Sequence, residues 1–243
     1  MTTPATPPRD GETLDTFYRG RIRVLQKKAG YRFSVDAPLL ADFIRIGSED
    51  EALELGTGTG IISLLLSVRP FRRIVAVELQ DGLADLARRN VELNGLADRI
   101  EIVHADLRTF EPGRRFGLIF SNPPYIRKST GFLSASTEKS AAKHELHGGI
   151  GDVLRTTAEW LAPEGRACFV YPEKRRIDFS RAADAQGFRV LRFRHVLPRE
   201  SEPAKLFLAE LGFLAVHPEI MPPLVLFGPG GKYTPDAEAI FAG

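Results

Sequence analysis

The chain has 243 residues, 43% hydrophobic and 26% charged, which is the balance of a folded domain and excludes a disordered or collagen-like chain. Its 33 Lys and Arg against 31 Asp and Glu leave a net charge of +2, so nucleic acid could be held only by local clusters of charge and not by a polycationic surface. A single cysteine, Cys168, excludes an intramolecular disulfide and a thiolate metal cluster. No apolar run is long enough to span a bilayer, and the Pro- and Thr-rich start has no secretory pattern. A soluble, cytoplasmic protein without a metal or a membrane partner is expected, with no obligate protein partner evident.

In chain order, residues 1–12 read as a disordered tail, 13–48 as a small strand-and-helix extension, and 49–243 as the main domain. Residues 15–33 have strand character, with Arg19, Arg21 and Arg23 on one face and Ile22 and Val24 on the other. A short helix over Asp36–Ile44 has Asp36 as its N-cap and Pro38 in its first turn. From residue 50 onwards, buried strands at 52–55, 74–77, 100–104, 118–120 and 166–171 alternate with helices at 60–68, 81–94, 151–161 and 173–185. This rhythm predicts a parallel sheet covered on both faces.

It breaks at the end. Segments 188–196 and 205–214 leave no room for a helix between them and must pair antiparallel, and a Gly-Pro-Gly-Gly turn lies within 222–233. The predicted fold is α/β and Rossmann-like: a mostly parallel seven-stranded sheet, helices on both faces, an antiparallel last strand in a C-terminal hairpin. Between Ser121 and Gly149 no strand is read, and a connection that long marks a functional or disordered loop.

The first parallel strand runs into Glu54-Leu55-Gly56-Thr57-Gly58-Thr59-Gly60 and directly into a helix. Glycines allow positive φ and close approach of a ligand, and the helix start offers free N–H donors. The dinucleotide fingerprint would place its third glycine at position 61, which is Ile, so the spacing departs from that pattern. Glu78 ends the second strand, where a carboxylate can accept both hydroxyls of a ribose; Asp106 follows the third and suits an adenine amino group. The fourth strand ends in Asn122-Pro123-Pro124-Tyr125. There the Asn122 side chain and the Pro123 carbonyl can accept two hydrogens of an exocyclic amine while Tyr125 stacks on its ring. Two acceptors stabilise the positive charge that grows on the attacking nitrogen, so no strong base is required.

Taken together, the glycine loop, Glu78, Asp106 and the Asn-Pro-Pro-Tyr tetrad, in this order, resemble a class I S-adenosylmethionine-dependent amino-methyltransferase. Three flanking pieces narrow the resemblance to the bacterial tRNA1(Val) adenine-N6-methyltransferase family: Gly30–Phe43 before the sheet, Lys143-His144-Glu145 after the tetrad, and Pro222–Tyr233 near the end. The likeness covers about residues 22–235. It implies methyl transfer from S-adenosylmethionine, leaving S-adenosylhomocysteine, to N6 of an adenosine beside the anticodon of a tRNA. By the same resemblance, Glu54, Gly56, Thr57, Gly58 and Gly60 hold the methionine part of the cofactor, with Phe33, Ser34 and Asp36 lining that end. Glu78 with Leu79 takes the ribose, Asp106 with Leu107 the adenine, and Asn122, Pro123 and Tyr125 the target base. A target adenine must leave its stack, which costs least in a single-stranded loop.

Other acceptors share the tetrad, namely a glutamine amide of release factors and amines of ribosomal RNA or DNA. A catalytically inactive RNA-binding protein is the non-enzyme alternative, one that leaves an intact tetrad unexplained. Arg23, Lys27, Lys28 and Arg32, in a basic stretch with Tyr31 and Phe33 interleaved, are expected to follow RNA phosphates, as are Arg127 and Lys128 after the tetrad. His144-Glu145-Leu146-His147 lacks metalloprotease spacing and reads as surface. Cys168 reads as an inert buried thiol, Trp160 as core, and Arg192 and Arg194 as sheet-surface charge.

Overall fold

Two antiparallel strands, β1 (Glu12–Phe17) and β2 (Ile22–Lys27), begin the computed structural model, which describes residues 7–29, 35–123, 149–214 and 217–243. The strand character expected over 15–33 takes the form of a hairpin over residues 12–27. Tyr18 and Arg19 turn it with φ of 50° and 56°, a conformation side chains seldom adopt, and Gly20 completes the turn at 85°. Nor is the chain before residue 13 all tail. Glu12 opens β1 and meets Arg89 through two hydrogen bonds of 2.7 and 2.9 Å, both side chains being about one-tenth exposed or less. That bond holds the Glu12 carboxyl below the usual carboxylate range.

The main sheet contains β3 (Glu51–Leu55), β4 (Arg73–Glu78), β5 (Ile100–His104), β6 (Phe116–Ser121), β7 (Leu161–Pro172), β8 (Arg189–Leu197) and β9 (Leu206–Gly212). Two-residue strands β10 (Glu219–Ile220) and β11 (Leu224–Val225) both pair with β8. The order is β10-β8-β9-β7-β6-β3-β4-β5, and β9 alone runs antiparallel to its neighbours. Sequence reading missed β10 because two residues are too few to show a period.

Helices α1 (Asp36–Phe43), α2 (Ile61–Leu66) and α3 (Asp81–Leu93) stand against one face of this sheet; α4 (Ile150–Trp160) and α5 (Arg176–Ala185) cover the other. Period-two alternation sorts the strand residues between them. Ala52, Ile74, Ala76, Leu118 and Phe120 belong to the first core, Leu53, Leu55, Val75, Val77 and Ile119 to the second. Trp160 is only partly buried at the edge of the second. A last helix, α6 (Pro235–Ala242), was not expected. Its signals were present, however: Pro235 at the first helical position, and Thr234 as the N-cap whose hydroxyl accepts from the Ala237 N–H at 3.3 Å.

Two side chains change role. Asp36 is the first residue of α1, not its cap, and Val35 precedes it without any side-chain capping bond. Arg192 is not surface charge. It is 4% exposed, donates to Glu210 at 2.7 Å and to the Phe43 carbonyl at 2.5 Å, and lies 4.0 Å over the Phe43 ring. Cys168, fully buried, donates to the same Glu210 at 3.6 Å, and burial pushes its thiol pKa up, as an inert thiol requires.

Candidate cofactor and target-base site

Strands β3, β4 and β5 extend one way from the centre of the sheet, β6 and β7 the other. The order therefore reverses between β3 and β6, and the crevice outside the carboxyl ends of those two strands is where open α/β sheets bind ligands. Ser121, last residue of β6, donates to the Leu55 carbonyl at the end of β3 at 2.7 Å and ties the two ends together.

After Leu55 the backbone keeps contact with β4, since the Gly56 and Thr57 N–H groups both donate to the Val77 carbonyl at 2.9 and 3.0 Å. Gly56, Gly58 and Gly60 then take φ of 72°, 60° and 83°, values that a side chain would strain. A Cβ on Gly56 would meet nothing within 4 Å, so the loop is open on that side. One on Gly60 would sit 3.5 Å from Ala87 of α3, so the far side of the loop rests on that helix.

Glu54 is 1% exposed beneath this loop. One carboxyl oxygen accepts from Thr57 Oγ1 at 2.7 Å and from Ser63 Oγ at 2.5 Å; the other, Oε1, is buried with no partner among the described residues. Burial pushes its pKa up to about 7, against the lowering effect of the two hydroxyls. Glu78, 6% exposed, accepts from the Gly58 N–H at 2.8 Å on one oxygen and from the Gln80 N–H at 2.9 Å on the other. Each oxygen keeps a second lone pair for a hydroxyl, and burial again pushes the pKa up.

Asn122 follows Ser121, and its Oδ1 is likewise buried without a partner among the described residues; so is Thr59 Oγ1 in the loop. Three buried polar atoms on or beside two linked strand ends thus have no partner among the described residues, although buried polar atoms in folded proteins are nearly always paired. The arrangement is that of a cradle whose acceptors a ligand completes, and it suits a cationic ammonium on Glu54 and an amine on Asn122. Pro123 is buried beside Asn122.

Asp106 is engaged in a way the sequence did not suggest. Arg108 donates its Nε to both carboxyl oxygens at 3.0 Å, its Nη2 at 2.5 Å and its backbone N–H at 2.9 Å. The Leu79 carbonyl accepts from His104 Nε2 at 3.0 Å, and the Leu107 carbonyl from Thr156 Oγ1 at 3.2 Å. Asp36 is buried at the start of α1. Phe33, Ser34, Pro124, Tyr125, Arg32, Arg127, Lys128, His144 and His147 lie outside the described residues.

The expected basic stripe divides. Arg23 donates to the Leu93 carbonyl at 2.6 Å, so its charge sits on the negative end of α3. Arg19 and Arg21 flank the turn near that same end, whereas Lys27 and Lys28 are exposed at the other end of β2, about 20 Å away for a six-residue strand. Lys27 Nζ comes within 3.5 Å of where a Cβ on Gly82 would be, in the first turn of α3 and hence on the cofactor side of the sheet. Besides Arg108, the sequence reading missed Ser63, Ser121 and Asn90. The i+9 spacing of Glu54 and Ser63 across a loop carries no local signal.

Among the described residues no helix is long and apolar enough to cross a membrane, and no three His, Cys, Asp or Glu side chains gather as a metal site.

The methyltransferase small domain family model matches residues 34–176. A tRNA1(Val) (adenine(37)-N6)-methyltransferase of Vibrio campbellii is 30% identical over 185 residues, covering 76% of this chain and 77% of its own. Its namesake in Cronobacter sakazakii is 32% identical over 193 residues, 77% of this chain and 76% of its own. Among solved structures, one described as a predicted O-methyltransferase, protein Atu636 from Agrobacterium tumefaciens, superposes with a TM-score of 0.67 at 21% identity, covering 84% of this chain and 94% of that one. At that identity the likeness shows the fold: a class I, Rossmann-like methyltransferase.

Proposed function

This chain belongs to the methyltransferase small domain family and is an S-adenosylmethionine-dependent methyltransferase, and we propose that its acceptor is N6 of the adenine beside the anticodon of tRNA(Val). The observation that carries the reading is the buried Asn122 Oδ1, which has no partner among the described residues and is set beside the glycine loop by the bond from Ser121 to Leu55. Support for the acceptor comes from the names of the relatives at 30–32% identity.

When bound, the cofactor supplies an electrophilic methyl group. The open side of the loop at Gly56 would take its methionine part, with Glu54 Oε1 accepting from the ammonium. Glu78 uses its remaining lone pairs for the ribose hydroxyls, and Asp106, with Arg108 at its side, faces the adenine. Asn122 Oδ1 and the Pro123 carbonyl accept the two hydrogens of the target amine, and Tyr125 stacks on the base. As the nitrogen takes the methyl carbon, the carbon–sulfur bond of the sulfonium would break, leaving the neutral thioether of S-adenosylhomocysteine, and the nitrogen would become positive. The two carbonyl dipoles stabilise that charge where it develops, and the extra proton then passes to water. Lys27 and Lys28 stand on the cofactor side of the sheet and meet the RNA backbone there.

The test is incubation with radiolabelled cofactor and, separately, unmodified tRNA, ribosomal RNA, DNA and release factor, followed by nucleoside analysis. Label recovered as N6-methyladenosine from tRNA is expected. Label in glutamine or in DNA alone would replace the proposed acceptor.

A further inference from the structure

The N-terminal hairpin is joined to the cofactor loop through one side chain. β1 occupies one edge of β2; the other edge faces α3, where Arg23 and Leu25 present their N–H and C=O groups. Successive outward residues on a strand are about 6.6 Å apart and residues four apart on a helix about 6 Å, so side chains four residues apart on a helix can meet them. Asn94 and Asn90 do so. Asn94 Oδ1 accepts from the Arg23 N–H at 2.9 Å, and its Nδ2 donates to the Arg23 carbonyl at 2.7 Å. Asn90 Oδ1 accepts from the Leu25 N–H at 2.6 Å, and its Nδ2 donates to the Leu25 carbonyl at 3.1 Å. The helix stands in for a third strand, with amide side chains in place of backbone.

Here the two asparagines part. The remaining bond of Asn94 goes to its own helix, to the Asn90 carbonyl at 2.7 Å. Asn90, fully buried, spends its second hydrogen on the Thr59 carbonyl at 2.9 Å, inside the glycine loop. Its helix also braces that loop one turn earlier, where Gly60 lies against Ala87. We propose that Asn90 is a positioning residue for the cofactor loop: by gripping Leu25 and Thr59 at once, it makes the shape of the loop depend on the docking of the hairpin. This rests on the reading of the loop as the cofactor's cradle.

Calorimetry with S-adenosylhomocysteine separates the two asparagines. Asn90→Ala should bind it about three- to tenfold more weakly, the worth of one lost hydrogen bond, with KM for S-adenosylmethionine rising in step and kcat at saturation nearly unchanged. Asn94→Ala should free only the Arg23 end of β2, seen as faster amide exchange at Arg23 with Leu25 unchanged, and leave cofactor affinity within twofold. A third measurement uses the native protein. Coupling between sites is reciprocal, so saturating S-adenosylhomocysteine should slow exchange of the Leu25 amide more than that of Arg23, whether or not Asn90→Ala folds. Native affinity in Asn90→Ala, equal weakening in both variants, or a protected loop with an unchanged Leu25 amide would overturn the proposal. Failure of the native protein to bind S-adenosylhomocysteine would instead overturn the cofactor reading beneath it.

Discussion

Two clusters of polar side chains lie buried on either side of β6, and they are finished differently. Beneath α1, Arg192 meets Glu210, the Phe43 carbonyl and the Phe43 ring, and Cys168 completes the group on Glu210; among the described residues, Arg192 Nε alone in this cluster is without a partner. At the crevice, one Glu54 oxygen accepts two hydrogen bonds, while its other oxygen, Asn122 Oδ1 and Thr59 Oγ1 have no partner among the described residues. The first cluster is closed and serves the fold. The second is held rigidly on one side and left incomplete on the other, as a site should be that must be shaped before its ligand arrives.

The comparison breaks most visibly at the closed cluster. Glu210→Ala should destabilise the protein by about 3–5 kcal/mol, because it strands the Arg192 charge in the core. Urea denaturation measures this, and a double change of Arg192 and Glu210 to Met and Leu should recover most of the loss. If the single change cost under about 1 kcal/mol, the pair would not be a closed structural unit.

At the open cluster the cost should fall on turnover. Asn122→Ala should reduce kcat by about 10²–10³, or about 2.7–4 kcal/mol, since its bond strengthens as charge grows on the amine. Stability and affinity for S-adenosylhomocysteine should stay near native. Near-native turnover would reduce the tetrad to a rigid turn.

Glu54 gives a pH signature that sharpens the contrast. Its folded pKa, pushed up to about 7, exceeds the ordinary 4.5, so the folded protein without ligand holds a proton that the unfolded chain has released. The stabilisation is complete below pH 4.5 and lost as pH rises to 7, about 3 kcal/mol across that window. A cationic ammonium on Oε1 reverses the preference. Affinity for S-adenosylhomocysteine should therefore rise up to about tenfold per pH unit towards pH 7 and level off above it. Calorimetry at pH 5.5, 6.5 and 7.5 follows this, and Glu54→Gln should flatten it. A flat native profile would place the ammonium elsewhere.

The smallest effect is at the surface. Neutralising Lys27 and Lys28 should weaken RNA binding and reduce the slope of log affinity against log salt by about one unit per lost phosphate contact. Arg23→Gln should leave that slope alone, because Arg23 is spent on the Leu93 carbonyl. Equal slopes in all variants would assign both lysines to plain surface.

The parallel sheet was legible because its strands are buried on both faces and read as short apolar runs, and the glycine loop because its spacing is local. Residues that act across the fold were not. Arg192 and Arg194 share a strand face and look alike in sequence, yet Arg192 is buried with Phe43 of α1 over its guanidinium while Arg194 reaches outward to the Pro222 carbonyl. Only the position of α1 distinguishes them. Ser63 is hidden in an apolar run, and its bond to Glu54 exists only once the loop has folded back. The turn of the hairpin was not placed because Tyr18 and Arg19 are poor turn residues, leaving Gly20 as the cue.

The bond from Ser121 to Leu55 fastens the last residues of two strands that lie about 4.8 Å apart. On the proposed reading, the loop that would hold the methyl donor and the asparagine that would hold its acceptor are thus neighbours in one hydrogen-bonded ladder, aligned before either partner arrives. Change at the periphery, in whatever brings the acceptor to the edge, can then proceed without disturbing the short distance over which the methyl group travels.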